Sequence, residues 1–210
     1  MKANDETDGR ESVLLSSAAK GDLEAFNDLV LKYQDLVYNI TRGILGNADA
    51  AQDATQEAFI RAFQHIAGFR GGSFRCWLLR IAVNTCYDVL RTLRRHPTVP
   101  LIPEDGDGSE TNSPTWLADP RSSPEVETEE DELMQVLYQR IDELPAVYRT
   151  VITLVDLNGL DYDEAAHALG VPVGTVKSRL ARARLRIKES LFEDSPFASD
   201  LKLSSARTAV

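Results

Sequence analysis

The stretch Asp161–Phe192, DYDEAAHALGVPVGTVKSRLARARLRIKESLF, decides how the C-terminal half of the chain folds. It reads as two helices joined by a tight turn. Asp161 is placed to cap the first helix, and Glu164, three residues on, completes a capping box. Gly170 tolerates a left-handed turn, and Pro172 suits the first turn of a new helix. With Ala166 small at the crossing and Val176 an apolar anchor, the spacing is that of a helix-turn-helix. In the second helix Val173, Val176, Leu180, Ala183, Ile187 and Leu191 recur at intervals of three and four, which marks a buried side. Ser178, Ala181 and Arg182 point away from that stripe, flanked by Lys177 and Arg179. Between Pro172 and Ser190 the bases Lys177, Arg179, Arg182, Arg184, Arg186 and Lys188 stand against Glu189 alone, a net charge of +5. Solvated surface helices usually mix signs; this one does not, which favours nucleic-acid contact.

The whole chain of 210 residues carries a formal charge of −10, at first sight wrong for such a role. Its distribution removes the objection. From Leu101 to Glu132 eleven acids face one base, Arg121, so that segment alone accounts for −10. A second basic island runs from Arg61 to His96, where seven arginines face Asp88 alone. No apolar run approaches the ~20 residues needed to span a bilayer, so the chain is not expected to be membrane-embedded. The polar, acidic N-terminus does not read as a secretory signal. Cys76 and Cys86 fall in one predicted helix, about 15 Å apart along its axis, too far for an intramolecular disulfide. That usage suits a reduced, cytoplasmic protein. His65, His96 and His167 have no companions at metal-ligand spacing, and no phosphate loop or nucleophile–base pair is visible, so neither metal, cofactor nor enzyme activity is expected.

Taken in order, the chain predicts an all-α protein of two small helical domains joined by an acidic flexible linker. Residues 1–12 read as a disordered tail. An N-terminal helical domain follows over 13–96. It includes an amphipathic helix capped by Asp22 and a helix of about 48–66 whose stripe is Ala51, Ala54, Ala58, Phe59, Ala62, Phe63 and Ile66. After the loop GFRGGS (Gly68–Ser73) comes a helix of about 74–95, with Trp77, Leu78, Ile81, Thr85 and Val89 on its core side. Pro, Gly, Ser and acids dominate 97–130, the linker. The helix-turn-helix domain occupies 131–193, and 194–210 form a polar tail.

Four stretches carry a resemblance to a known family, the small two-domain, extracytoplasmic-function (ECF) type sigma factors of bacterial RNA polymerase. DAAQDATQEAFIRAF (Asp49–Phe63) resembles the polymerase-binding helix, and SFRCWLLRIAVNTCYDVLRTLRR (Ser73–Arg95) the promoter-melting helix. LPAVYRTVITL (Leu144–Leu154) and GVPVGTVKSRLARAR (Gly170–Arg184) resemble the C-terminal domain. The resemblance implies a non-enzymatic factor that binds core polymerase and promoter DNA. It implies docking on the clamp helices of the largest subunit through Asp53, Gln56 and Glu57, and of the C-terminal domain on the flap of the second-largest. It implies capture of the opened −10 element near Gly68–Phe74 and by Phe74, Asn84, Asp88 and Arg91. It implies reading of the −35 element by Lys177, Ser178, Arg179, Ala181 and Arg182, and an anti-sigma partner. Asp88 departs from the usual neutral residue, and Ala181 can offer only apolar contact, as with a thymine methyl. The alternative is a stand-alone helix-turn-helix repressor or activator, which leaves the Asp53/Glu57 face without a role; an adaptor of the same fold has no need of the base-reading residues.

Overall fold

The protein is described here by a computed structural model over residues 3–95 and 124–193, with side chains described for 9–95 and 134–191. Most of the acidic linker and the C-terminal tail lie outside the described residues. Eight α-helices make up the described chain, which contains no strand: α1 (Ala3–Ala18), α2 (Leu23–Leu45), α3 (Ala48–His65), α4 (Phe74–Arg95), α5 (Pro124–Glu143), α6 (Ala146–Ile152), α7 (Tyr162–Leu169) and α8 (Val173–Glu193). A 3-10 turn, Ile66–Gly68, follows α3, and a widened π turn, Thr153–Leu157, continues α6.

Helices α2, α3 and α4 pack on one another, and α1 lies along α2. The Asp22 carboxylate accepts from the amides of Glu24 and Ala25 and starts α2. Gly46, in the left-handed region at φ 74°, ends it, and Asn47 caps α3 through the amide of Ala50. The alanine stripe of α3 is buried, so its backbone can approach α2 and α4 closely. Phe74, Trp77, Phe69 and Tyr33 form a knot of tilted and edge-on rings 5.4–5.8 Å apart, favourable geometries for aromatic pairs. In the second half, α5, α6, α7 and α8 enclose Ile141, Leu144, Val151, Ile152, Leu154, Val176, Leu180 and Ala183.

The helix-turn-helix forms as its local chemistry dictates. Asp161 accepts from the Glu164 amide at 2.7 Å while Glu164 accepts from the Asp161 amide at 3.1 Å, closing the capping box. Gly170 takes φ 63° at the end of α7. The Pro172 carbonyl accepts from Thr175 and Val176 at the start of α8.

Three features differ from the sequence reading. Residues 3–12, expected as a tail, belong to α1, whose Glu11 accepts from Lys32 and, at 2.8 Å, from the Tyr33 hydroxyl. Helix α5 begins at Pro124, inside the stretch assigned to the linker. The π turn after α6 carries no sequence signal; the Asn158 side chain donates to the Thr153 carbonyl at 2.7 Å and the Leu160 amide to the Leu154 carbonyl at 3.0 Å, which close it.

Two outcomes follow from this packing. Asp161→Ala removes one arm of the capping box and lowers stability by about 1 kcal/mol, read as a reduced urea midpoint at unchanged slope. Cys86 is buried and desolvation pushes its thiol up to about 12, whereas Cys76 is half-exposed. Iodoacetamide therefore modifies Cys76 in the folded protein and reaches Cys86 only after denaturation, as mass spectrometry of the digested protein will show.

Candidate nucleic-acid interface

Helix α8 has one face in the core and one in solvent. Val176, Leu180, Ala183 and Ile187 are buried, while Lys177, Ser178, Ala181 and Arg182 are exposed and Arg179 is half-exposed. All five residues expected to read the upstream element thus share the outer side of one helix. They are not equally available. The Ser178 hydroxyl donates to the Thr175 carbonyl at 3.0 Å, and the Lys177 ammonium stands 5.5 Å above the ring of Tyr162. Arg182 pairs with no carboxylate among the described residues.

Two further bases of α8, Arg184 and Arg186, are exposed and engaged within the domain. Arg184 makes a two-pronged contact to Asp156 of the π turn at 3.0 and 2.6 Å, and this hydrogen bonding raises its pKa. Arg186 lies 5.0 Å from the ring of Tyr148. These contacts fasten α8 to the π turn and α6, and Asp156 offsets one positive charge of the helix.

In the N-terminal half, α4 presents Asn84 and Arg91 to solvent. Asp88, between them, is bracketed by two guanidinium groups: Arg61 donates to one of its oxygens at 3.0 Å and Arg91 to the other at 3.0 Å. Its negative charge is therefore offset locally, and the repulsion of phosphate expected from an acid at this position is reduced. Phe74 departs from the sequence expectation. It is 2% exposed, held in the aromatic knot, and presents no free face for stacking on a base. The physical reason is its position at the first turn of α4, directly over Tyr33 of α2. Gly71 and Gly72, both with φ near 90°, shape the exposed loop beside it.

On α3, Asp53 and Gln56 are exposed and Glu57 is half-exposed, with Ile60 completing the outward side. Glu57 accepts from Arg61 at 2.7 Å. Arg61 thereby links the acidic side of α3 to Asp88 of α4, and its pKa is raised, chiefly by the hydrogen bond to Asp88 and then by that to Glu57. The sequence reading left this arginine without a role, although its four-residue spacing from Glu57 is a legible signal. Among the described residues no group of His, Cys, Asp and Glu side chains is arranged to hold a metal ion, and no helix is long and apolar enough to cross a membrane.

Comparison with known proteins matches both halves. Residues 29–96 fit the family profile Sigma-70 region 2, and residues 134–187 fit Sigma-70, region 4. The chain is 38% identical to the RNA polymerase sigma-H factor of Pseudomonas aeruginosa, over 88% of this chain and 95% of that protein. It is 39% identical to the ECF RNA polymerase sigma-E factor of Escherichia coli K12, over 83% of this chain and 90% of that one. The fold is similar to that of CnrH in complex with the cytosolic domain of CnrY, with a TM-score of 0.62 at 24% identity, covering 89% of this chain and 99% of that one. It is also similar to the sigma factor RpoE in complex with the anti-sigma factor NepR from Bartonella quintana, with a TM-score of 0.58 at 22% identity, covering 82% and 100%. Two Sigma-70 regions in this order, at such identity over most of the chain, place it in the sigma-70 family as a small RNA polymerase sigma factor of the ECF type, which directs promoter-specific transcription initiation.

Proposed function

We propose that the two halves divide the promoter between them: α8 reads the −35 element in the major groove, and α4 with the loop before it holds the opened −10 element. The observation that carries this is the exposed outer side of α8, where Lys177, Ser178, Arg179, Ala181 and Arg182 lie together above a buried apolar stripe. Arginine offers a two-pronged donor to guanine, serine bonds bases or phosphates, and Ala181 leaves room for a thymine methyl. Asn84 and Arg91 supply polar and cationic contacts to a displaced strand, with Asp88 set between them by its arginine pairs. Phe74 supports the loop from within rather than touching a base. Asp53, Gln56 and Glu57 form the contact to the clamp helices of the largest polymerase subunit, and the C-terminal domain docks on the flap of the second-largest.

The factor performs no catalysis of its own and works in the cytoplasm beside polymerase. Two structurally similar sigma factors are held by partner proteins, one of them named an anti-sigma factor, which supports an anti-sigma partner for this chain.

The reading stands or falls on reconstituted transcription: the purified chain added to core polymerase yields promoter-specific transcripts. Arg182→Ala weakens recognition of the upstream element by about 1–3 kcal/mol, and normal output from a −35-dependent promoter refutes the contact. Asp53→Arg abolishes co-purification with core polymerase at unchanged helical circular dichroism; retained binding rules that contact out. Asp88→Asn releases Arg61 and Arg91 and tightens holoenzyme binding to a labelled single-stranded −10 oligonucleotide a few-fold by fluorescence anisotropy. Unchanged or weaker binding excludes the proposed balance of charges.

A further inference from the structure

The solvent side of α8 is not uniformly basic. At 100° per residue Gly174, Ser178, Ala181 and Leu185 fall within about 60° of one another, opposite the buried stripe of Val176, Leu180, Ala183 and Ile187. These four carry no charge and form a neutral strip down the middle of the outer face. Lys177 stands on one side of it and Arg182 on the other, each about 70° round from its midline. All four residues of the strip are exposed, and a Cβ on Gly174 would meet nothing within 4 Å. Leu185 closes the strip. It is 54% exposed and belongs neither to the buried core nor to the side chains packed against it. Its sequence neighbours are Arg184 and Arg186, so leucine interrupts a run of cations at the one place that continues the strip.

A strip of this kind matches the floor of a major groove. The groove is about 12 Å wide and admits one helix, with phosphates along its walls and base edges on its floor. Cations on both sides of the strip suit the walls, and the neutral middle suits the bases. Helix-turn-helix domains of the homeodomain type read bases with residues at positions i, i+3, i+4 and i+7 of one helix. Ser178, Ala181, Arg182 and Leu185 have that spacing. From Ser178 to Leu185 the helix rises about 10 Å, or roughly three base pairs, so Leu185 remains within reach of the groove. A leucine there has no hydrogen bond to offer. The apolar group that a base pair presents in the major groove is the thymine C5 methyl.

We propose that Leu185 is a further specificity-determining residue of α8, whose side chain packs on the C5 methyl of a thymine in the −35 element. This contact rests on the division of the promoter proposed above. Ala181, one turn earlier, meets a second methyl, and the ~6 Å rise between the two residues sets the two thymines about two base pairs apart. Leu185 favours an A·T pair at its position without a hydrogen bond, because a G·C pair there leaves it against polar edges alone. The outer face of α8 thus combines two kinds of recognition, a hydrogen-bonding edge taken by Arg182 and a methyl taken by the leucine.

The test uses the full chain bound to core polymerase. Selection from promoter duplexes randomised over the upstream element gives the sequence that this holoenzyme prefers. Each thymine of that sequence is then replaced singly by deoxyuridine, which keeps every hydrogen-bonding group of thymine and lacks the C5 methyl. At one position the replacement weakens binding of the unmodified holoenzyme about fourfold, the effect of withholding one methyl from burial. The same replacement leaves binding by the Leu185→Ala holoenzyme unchanged, and Leu185→Met, which keeps a long apolar side chain, restores the sensitivity. Leu185 is exposed, so both variants keep the urea midpoint of the unmodified factor. A preferred sequence without thymine, or deoxyuridine effects that are the same in Leu185→Ala, overturns the contact. The Arg182→Ala holoenzyme separates this outcome from failure of the functional reading. A preferred sequence that Arg182→Ala relaxes, with no methyl effect that depends on Leu185, refutes the leucine contact alone. A preference that Arg182→Ala leaves intact refutes reading of the −35 element by this face of α8, and the leucine contact with it.

Discussion

Burial of helix α4 on both flanks is the constraint on which the rest of the molecule depends. Leu78, Ala82 and Thr85 face one way and are shut off from water; Leu79 and Val83, about 100–140° further round the helix, are shut off as well. Helices α2, α3 and α7 all pack on α4, and its side bearing Arg80 and Tyr87 meets the C-terminal half. The strip with Asn84 and Arg91 stays open to solvent, so the width of the exposed edge of α4 is what packing on its sides leaves over.

Several polar side chains serve two neighbours at once, and these set the orientation of the apolar surfaces. Glu164 caps its own helix with one oxygen and takes Arg75 with the other. Arg61 ties α3 to α4 through Glu57 and Asp88. Asp142 lies between Arg149 of its own domain and Arg42 of the other. Desolvation raises its pKa, the two arginines acting in the opposite direction. Apolar burial is non-directional, whereas each of these groups accepts partners from fixed directions, and together they select one packing among several of similar area.

What was legible in the sequence was local. The capping box at Asp161 and Glu164, the turn at Gly170 and the stripe from Val176 to Ile187 are written within a few residues of one another, and each forms as read. The outward placement of Arg182 follows from the same periodicity. Illegible features depend on residues distant in sequence. Phe74 resembles an exposed aromatic beside a glycine loop until Tyr33, some forty residues earlier, is brought over its ring. Asp88 reads as an isolated acid until Arg61 reaches it across the α3–α4 seam. The N-terminal residues look like a polar tail because the apolar anchors of α1, Leu14, Leu15 and Ala18, lie beyond them, and the tie before those is one acid, Glu11, meeting Lys32 and Tyr33. The contact between the domains has no sequence signature, since its key residues are two glycines, Gly43 and Gly46, with Thr153 and the ion pair of Arg75 with Glu164.

The grip of Asp156 on Arg184 bears on how the C-terminal domain responds to ionic conditions. A cation already paired with a carboxylate of its own domain displaces few counterions when it meets a phosphate backbone. Of the six bases on α8, Arg184 is already paired with a carboxylate of its own domain, so the dependence on salt is shallower than six released ions. The net positive charge that α8 offers to a polyanion is thereby smaller than its six bases alone suggest.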